Sequence, residues 1–452
     1  MAYSKVAPVV LSKIHEDSDP TVSAAFDAFK VPGTETSAIG GSEWIKVHPL
    51  ATTDGSSQYE LVIPPFDEQY VDMRESYFVL QCKITNADGS ALPDDPANFD
   101  VYPVSNLPSA LWDGVTVKLN GADVEHSSLY GVARYMNALV DETADSKAGR
   151  LTGEGWLEDG ATGRDVADAP AAAKRTRKQR AAGSAPLNYF TCLYSGLGTS
   201  CRYLPPGIEL RMTFRRAPTA SYLMSGEATP NYKCVIESFM LYARRVTANP
   251  ALYRSHVKRL VEGSDMHYPI LKDRARTYTI PSGVSEHRVT LGQGDTLPIR
   301  LLTALIPHDA SVGSYKLSPY NFAPHGLSSI EMTVDSHAIA PKIETDFDRG
   351  LYAHAYAHNL ASLGLLRRDR GNGITYEDFG KNKTVFAWSL ATDLPNDDSG
   401  QYFHLRRKGT VALTLRFQTP TTKATTLLVC GRREALWGVN LERRVTSTEG
   451  AA

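Results

Sequence analysis

The sequence predicts an all-β protein: two jelly-roll β-sandwiches in one chain, with a few short helices. Three observations carry this. Clean period-two alternation occurs in both halves, at Ile208, Leu210, Met212 and Phe214 and again at Val411, Leu413, Leu415 and Phe417. The order of strands, one helix and more strands occurs twice. Between the halves, residues 232–261 read as a long strand, 234–246, delivered into a short helix. Asn249 suits the N-cap of that helix and Pro250 its first position, where a missing N–H costs nothing. Tyr253, Val257, Leu260 and Val261 then form one apolar stripe.

The totals agree with this reading. A chain of 452 residues is long enough for two or three domains. At 42% hydrophobic and 22% charged it has an ordinary globular composition. Its 34 glycines and 26 prolines favour many turns. A net charge of −2 argues against a surface devoted to gripping nucleic acid. The five cysteines are scattered and contain no CxxC pair, so neither a zinc ribbon nor a disulfide framework is indicated. The apolar run at 6–11 is too short for a signal-peptide core, and no run approaches a membrane span. A soluble intracellular product is expected, or one that leaves the cell without the secretory route.

Residues 1–57 read as an N-terminal arm with isolated apolar anchors, Phe26, Phe29 and Trp44, suited to a neighbouring subunit or to the body of the molecule. The first roll is expected over 58–247. Phe78, Leu80, Cys82 and Ile84 alternate with polar neighbours, as do Val115, Val117 and Leu119, and Asn120-Gly121 supplies a hairpin turn. Leu129, Val132, Ala133, Met136, Leu139 and Val140 stand at helical spacing, with Ser127 or Ser128 as cap. Residues 141–187 form a long insert rich in Ala, Gly, Asp and Thr. It reads as a loop carrying the basic run Lys174, Arg175, Arg177, Lys178 and Arg180. Such a run fits either phosphate contact or a solvated loop tip that meets an acidic neighbour. A linker helix is expected over 248–267, the second roll over 268–440 and a polar tail over 441–452. The second roll's helix is expected at 347–360, capped by Asp346 or Asp348.

Chemistry-bearing motifs are missing. Neither GxSxG nor GxxxxGK[ST] occurs, and the Gly-x-Gly fragments lack a third glycine. His354 and His358 stand four apart on the candidate helix, but Ala355 occupies the position where a zincin carries Glu. Packing against strands is the cheaper account of that pair. No catalytic residue, metal or cofactor is assigned.

Several stretches resemble the double jelly-roll major capsid proteins of Polinton-like, adintovirus-like and virophage-related double-stranded DNA viruses. They include Tyr70-Val71-Asp72-Met73 leading into 77–85 and Asp88-Gly89, Pro103-Val104-Ser105-Asn106 with Leu111-Trp112, and 115–121. They continue with 130–139, 241–246 with Asn249-Pro250, Tyr268-Pro269 and 279–283. Gly313-Ser314-Tyr315, Pro319-Tyr320-Asn321-Phe322 and Tyr376-Glu377-Asp378-Phe379 complete the set. The likeness runs in order over most of 25–435; the insert with its basic run departs from it. The resemblance implies a homotrimer of nearly hexagonal outline that tiles an icosahedral virion shell, assembled inside the host cell. It also implies neighbouring capsomers, minor capsid and penton proteins and packaged DNA as partners, and no small-molecule substrate. Alternative readings are a minor capsid or vertex protein, a carbohydrate-binding or hydrolytic β-sandwich, and a nucleic-acid-binding module resting only on 174–180.

Overall fold

The computed structural model describes residues 39–50, 56–160, 164–168, 172–292, 296–391 and 404–447. Among the described residues, eight strands of five or more residues precede residue 249. They are β1 (Ile39–Val47), β2 (Gln58–Ile63), β3 (Gln69–Asn86), β4 (Trp112–Leu119), β5 (Ala122–Ser128), β6 (Leu187–Thr191), β7 (Leu210–Arg216) and β8 (Tyr232–Ala248). They pair as two sheets, β1-β8-β3-β6 and β2-β7-β4-β5. The second half repeats the plan with β9 (Met266–Ile280), β10 (Glu286–Gly292), β11 (Arg300–Pro307), β12 (Leu327–Val334), β13 (His337–Ala338), β14 (Val385–Ser389), β15 (Val411–Phe417) and β16 (Thr425–Val439). Its sheets are β9-β16-β11-β14 and β10-β15-β12-β13. Adding eight to each label of the first half gives the second. This is the strand order of a jelly roll, twice over.

The alternation read from the sequence sets the core. Phe78, Leu80, Cys82 and Ile84 of β3 point inward, as do Leu210, Met212 and Phe214 of β7. Phe239 of β8 lies 5.0 Å from Trp112, 5.2 Å from Phe214 and 5.3 Å from Phe78, ring centre to ring centre. These tilted and stacked pairs hold the two sheets of the first roll face to face. Asn120 and Gly121, both at positive φ, close the β4–β5 hairpin.

The two rolls differ in how their first sheets are covered. In β3 the outward residues Tyr77, Val79, Gln81 and Lys83 remain half-exposed. In β11 every residue from Leu301 to Ile306 is buried, and so is every residue of β16 from Thr425 to Cys430. A strand buried on both faces needs cover on both, and the first half supplies it to the second.

Among the described residues, four helices reach ten residues: α1 (Tyr130–Asp141), α2 (Ala172–Ala181), α3 (Pro250–Val261) and α4 (Ala353–Ser362). Asn249 Oδ1 accepts from the Ala251 N–H at 2.9 Å, so the expected cap of α3 holds. Its apolar stripe does not pack as a whole: Leu260 is buried, whereas Val261 is 65% exposed. Ser127 and Ser128 finish β5 and do not cap α1; Leu129 takes the N-cap position at φ 55° with no side-chain cap. Asp346 closes a turn by accepting from the Arg349 N–H, and α4 starts only at Ala353. The arm expected over 1–57 gives Ile39–Val47 to the first sheet as β1. The stretch expected to be a loop at 174–180 is helix α2. Ala172, Ala173 and Ala181 favour that helix without marking an apolar face strong enough to read.

Candidate assembly surfaces

The first surface is the joint between the rolls. β5, helix α1 and the segment 192–209 of the first half lie on edge strand β9 and its sheet. Ser128 Oγ donates to the Ala275 carbonyl at 3.5 Å, and the Tyr268 hydroxyl donates to the Tyr203 carbonyl at 2.9 Å. Gly196 approaches β9 so closely that a Cβ there would stand 2.6 Å from the Leu271 carbonyl oxygen. From α1, Asn137 Nδ2 donates to Asp273 at 3.0 Å. Asp141 binds Arg300, through Nη2 at 2.9 Å, and Arg432 at 3.2 Å. Arg432 in turn reaches Asp273 at 2.8 Å. Burial pushes the Asp141 carboxyl up, but Arg300 and Arg432 outweigh it and hold it well below the usual carboxylate range.

Glu125 of β5 lies under this joint. Its carboxylate accepts the Gly196 N–H at 3.0 Å. Burial pushes its pKa up to about 7 against the help of those backbone donors and Lys272.

The second surface is the loop end, where segments of both rolls interlock. Tyr135 of α1 stacks between Trp156 at 4.7 Å and Tyr320 at 3.9 Å, the latter from the second roll. Buried Arg164 donates to the Tyr320 carbonyl. Asp165 accepts from the Ser318 N–H at 2.7 Å and from Asn321 at 2.8 Å. Lys383 pairs with Glu158 of the first half and with Asp378 at 3.0 Å. Lys147 donates to the Leu139 carbonyl at 2.7 Å and to the Asn372 carbonyl at 2.5 Å. Burial lowers its pKa to about 8. All three cations are buried, and Lys147 and Lys383 each hold two partners, so the loop end is one body shared by both rolls.

The basic run enters that body rather than forming a free patch. Arg177 is 4% exposed and pairs with Asp159 at 2.7 Å. Lys178 reaches Asp100 at 3.3 Å, and Lys174 donates to the Val166 carbonyl at 2.9 Å. Arg175 and Arg180 are exposed, Arg180 beside Tyr189. Trp44 stands 51% exposed on β1, its ring 5.5 Å from Tyr77, which stacks on Tyr242 at 5.3 Å. Phe26 and Phe29 lie outside the described residues. His358 packs on Trp388 of β14 at 4.9 Å, the strand packing expected of it, while His354 is exposed. Among the described residues, no three His, Cys, Asp or Glu side chains are grouped to hold a metal ion.

Sequence reasoning missed Tyr135, Asp141, Arg164 and Lys383 as joint residues. Each meets a partner more than 150 residues away or across the insert, and no local pattern announces such a meeting.

The doubled strand order defines a double jelly-roll protein. No family model matches the chain. It is similar to an uncharacterized protein of Caenorhabditis elegans, 21% identical over 401 residues that cover 86% of this chain and 93% of that one. Among solved structures it superposes on a chain of the Sputnik virophage with a TM-score of 0.62 at 10% identity, covering 96% of this chain and 94% of that chain. The Faustovirus major capsid protein matches with a TM-score of 0.57 at 12% identity, over 93% and 94%. At such identities the likeness is one of fold.

Proposed function

We propose that this chain is a major capsid protein that assembles into trimeric, pseudo-hexagonal capsomers of an icosahedral virion shell enclosing double-stranded DNA. The observation that carries the reading is the end-to-end match, both rolls in order, to the Faustovirus major capsid protein. A match confined to one roll would suit a vertex protein or a ligand-binding sandwich equally well. Its function then lies in surfaces rather than in catalysis. The division into arm, first roll 58–247, linker 248–267, second roll 268–440 and tail belongs to the same reading, with β1 taken from the arm. Neighbouring capsomers, minor capsid proteins and penton proteins are the partners. Any contact of the basic run with packaged DNA falls to its exposed members, Arg175 and Arg180, because Arg177 is buried against Asp159.

The test is the mass of the purified chain in solution by light scattering after size exclusion. A stable species near three times 49.4 kDa, alone or with larger shells, is the expected result. A chain that stays monomeric at high concentration overturns the reading and points to a ligand-binding sandwich.

A further inference from the structure

The rolls meet front to back. The first roll contributes the side formed by β5, α1 and the segment after β6; the second contributes edge strand β9 and the sheet behind it. Such a joint is heterologous, so it uses one side of each roll and leaves the opposite side of each unused. The unused sides are complementary in kind. The first roll has its own edge strand, β1, and the outer face of β1-β8-β3. The second roll has β13 and the residues after it.

The exposure of these sides differs from that of the joint. On β9, Tyr268, Ile270 and Ala275 are buried. On β1 the first six residues are all exposed, Ile39 at 39% and Trp44 at 51%. Behind β1 stand the half-exposed rings of Tyr77 and Tyr242. On the second roll, Ile339 follows β13 at 45% exposure and Leu351 is 57% exposed. Large apolar side chains on both unused sides are what an interface core needs.

We propose that the β1 face, centred on Trp44 with Tyr77 and Tyr242, docks a second copy of this chain through that copy's β13 side, at Ile339 and Leu351. Repetition of this contact continues the in-chain joint around a ring, and three chains supply six rolls. The inference rests on the self-assembly reading above and adds the two faces and their residues to it.

Sedimentation velocity on the full chain and on two variants, Trp44→Glu and Ile339→Glu, tests it. Both residues are about half exposed in the single chain, Trp44 at 51% and Ile339 at 45%, so the fold is expected to survive, as checked by circular dichroism. Each variant is expected to raise the trimer dissociation constant at least tenfold, since both would place a charge in a desolvated interface. Lys258→Glu, on the exposed side of α3, is expected to leave it unchanged. Folded Trp44→Glu and Ile339→Glu chains that both trimerise like the wild type overturn the assigned faces and leave the capsid reading standing. A monomeric wild-type chain overturns both.

Discussion

The stack Trp156–Tyr135–Tyr320 is a rivet between the rolls, and its strength is measurable. Tyr135 is 1% exposed and nearly parallel to Tyr320, at 7°. Replacing Tyr135 with Leu keeps an apolar side chain in place but removes both stacked ring pairs. At about 0.5–1.5 kcal/mol each, this costs about 1–3 kcal/mol. Tyr320→Leu removes the contact that crosses between rolls. In a double-mutant cycle the Tyr135–Tyr320 coupling should then be about 0.5–1.5 kcal/mol, whereas independent sites add to within about 0.5 kcal/mol. Urea denaturation of the full chain, followed by near-ultraviolet circular dichroism, gives the four stabilities. A coupling below about 0.3 kcal/mol would refute the claim that this stack joins the rolls. Tyr135→Ala opens a cavity as well and should cost about 3–5 kcal/mol, a large part of the total stability of a typical domain.

Two further outcomes follow from buried charge. The folded pKa of Glu125, about 7, lies above its ordinary value near 4.5, so the folded chain favours the protonated acid. That contribution is complete below about pH 4.5 and is lost as pH rises through 7, a change of about 3 kcal/mol. Glu125→Gln should match the wild type near pH 4 and be more stable by about that amount at pH 8; a difference that does not vary with pH between the two chains would refute the assignment. Arg177→Ala leaves Asp159 buried without its cation and should cost about 3–5 kcal/mol. Arg175→Ala, at an exposed site, should cost less than about 0.5 kcal/mol. Thermal denaturation of the two variants side by side checks both, and equal midpoints would show that the run is not divided as described.

The sequence made the strands legible wherever one face is wet and the other is core. Leu210–Arg216 and Val411–Phe417 alternate because β7 and β15 each separate solvent from a sandwich interior. The long strand into α3 was legible because Asn249-Pro250 marks the change of element within two residues. β1 was not: IGGSEWIKV has two glycines and no alternation, since six of its residues face water on both sides. α2 was not, because its buried positions are Ala173, Arg177 and Ala181, and an arginine that packs by pairing with Asp159 looks, in sequence, like a solvated one. The joint residues were illegible for a different reason. Lys383 and Glu158 are 225 positions apart, and their meeting depends on the relative placement of two rolls that no local period encodes.

That placement has a consequence for assembly. Within the chain, the joint closes under the effective concentration of a tether, here the strand β8 and helix α3 that lead directly from one roll to the next. It is then locked by buried cations at the loop end and by Asp141, Arg300, Arg432 and Asp273 along the sheet. The sides proposed for other copies carry exposed aromatic and aliphatic residues, Trp44 on β1 and Ile339 and Leu351 beside β13. A net charge of −2 lets many copies approach without strong mutual repulsion. A subunit built this way holds its in-chain joint before it meets a neighbour. On the proposed capsid reading, the joints between chains form only as concentration allows, so a misplaced copy is free to dissociate before a shell closes around it.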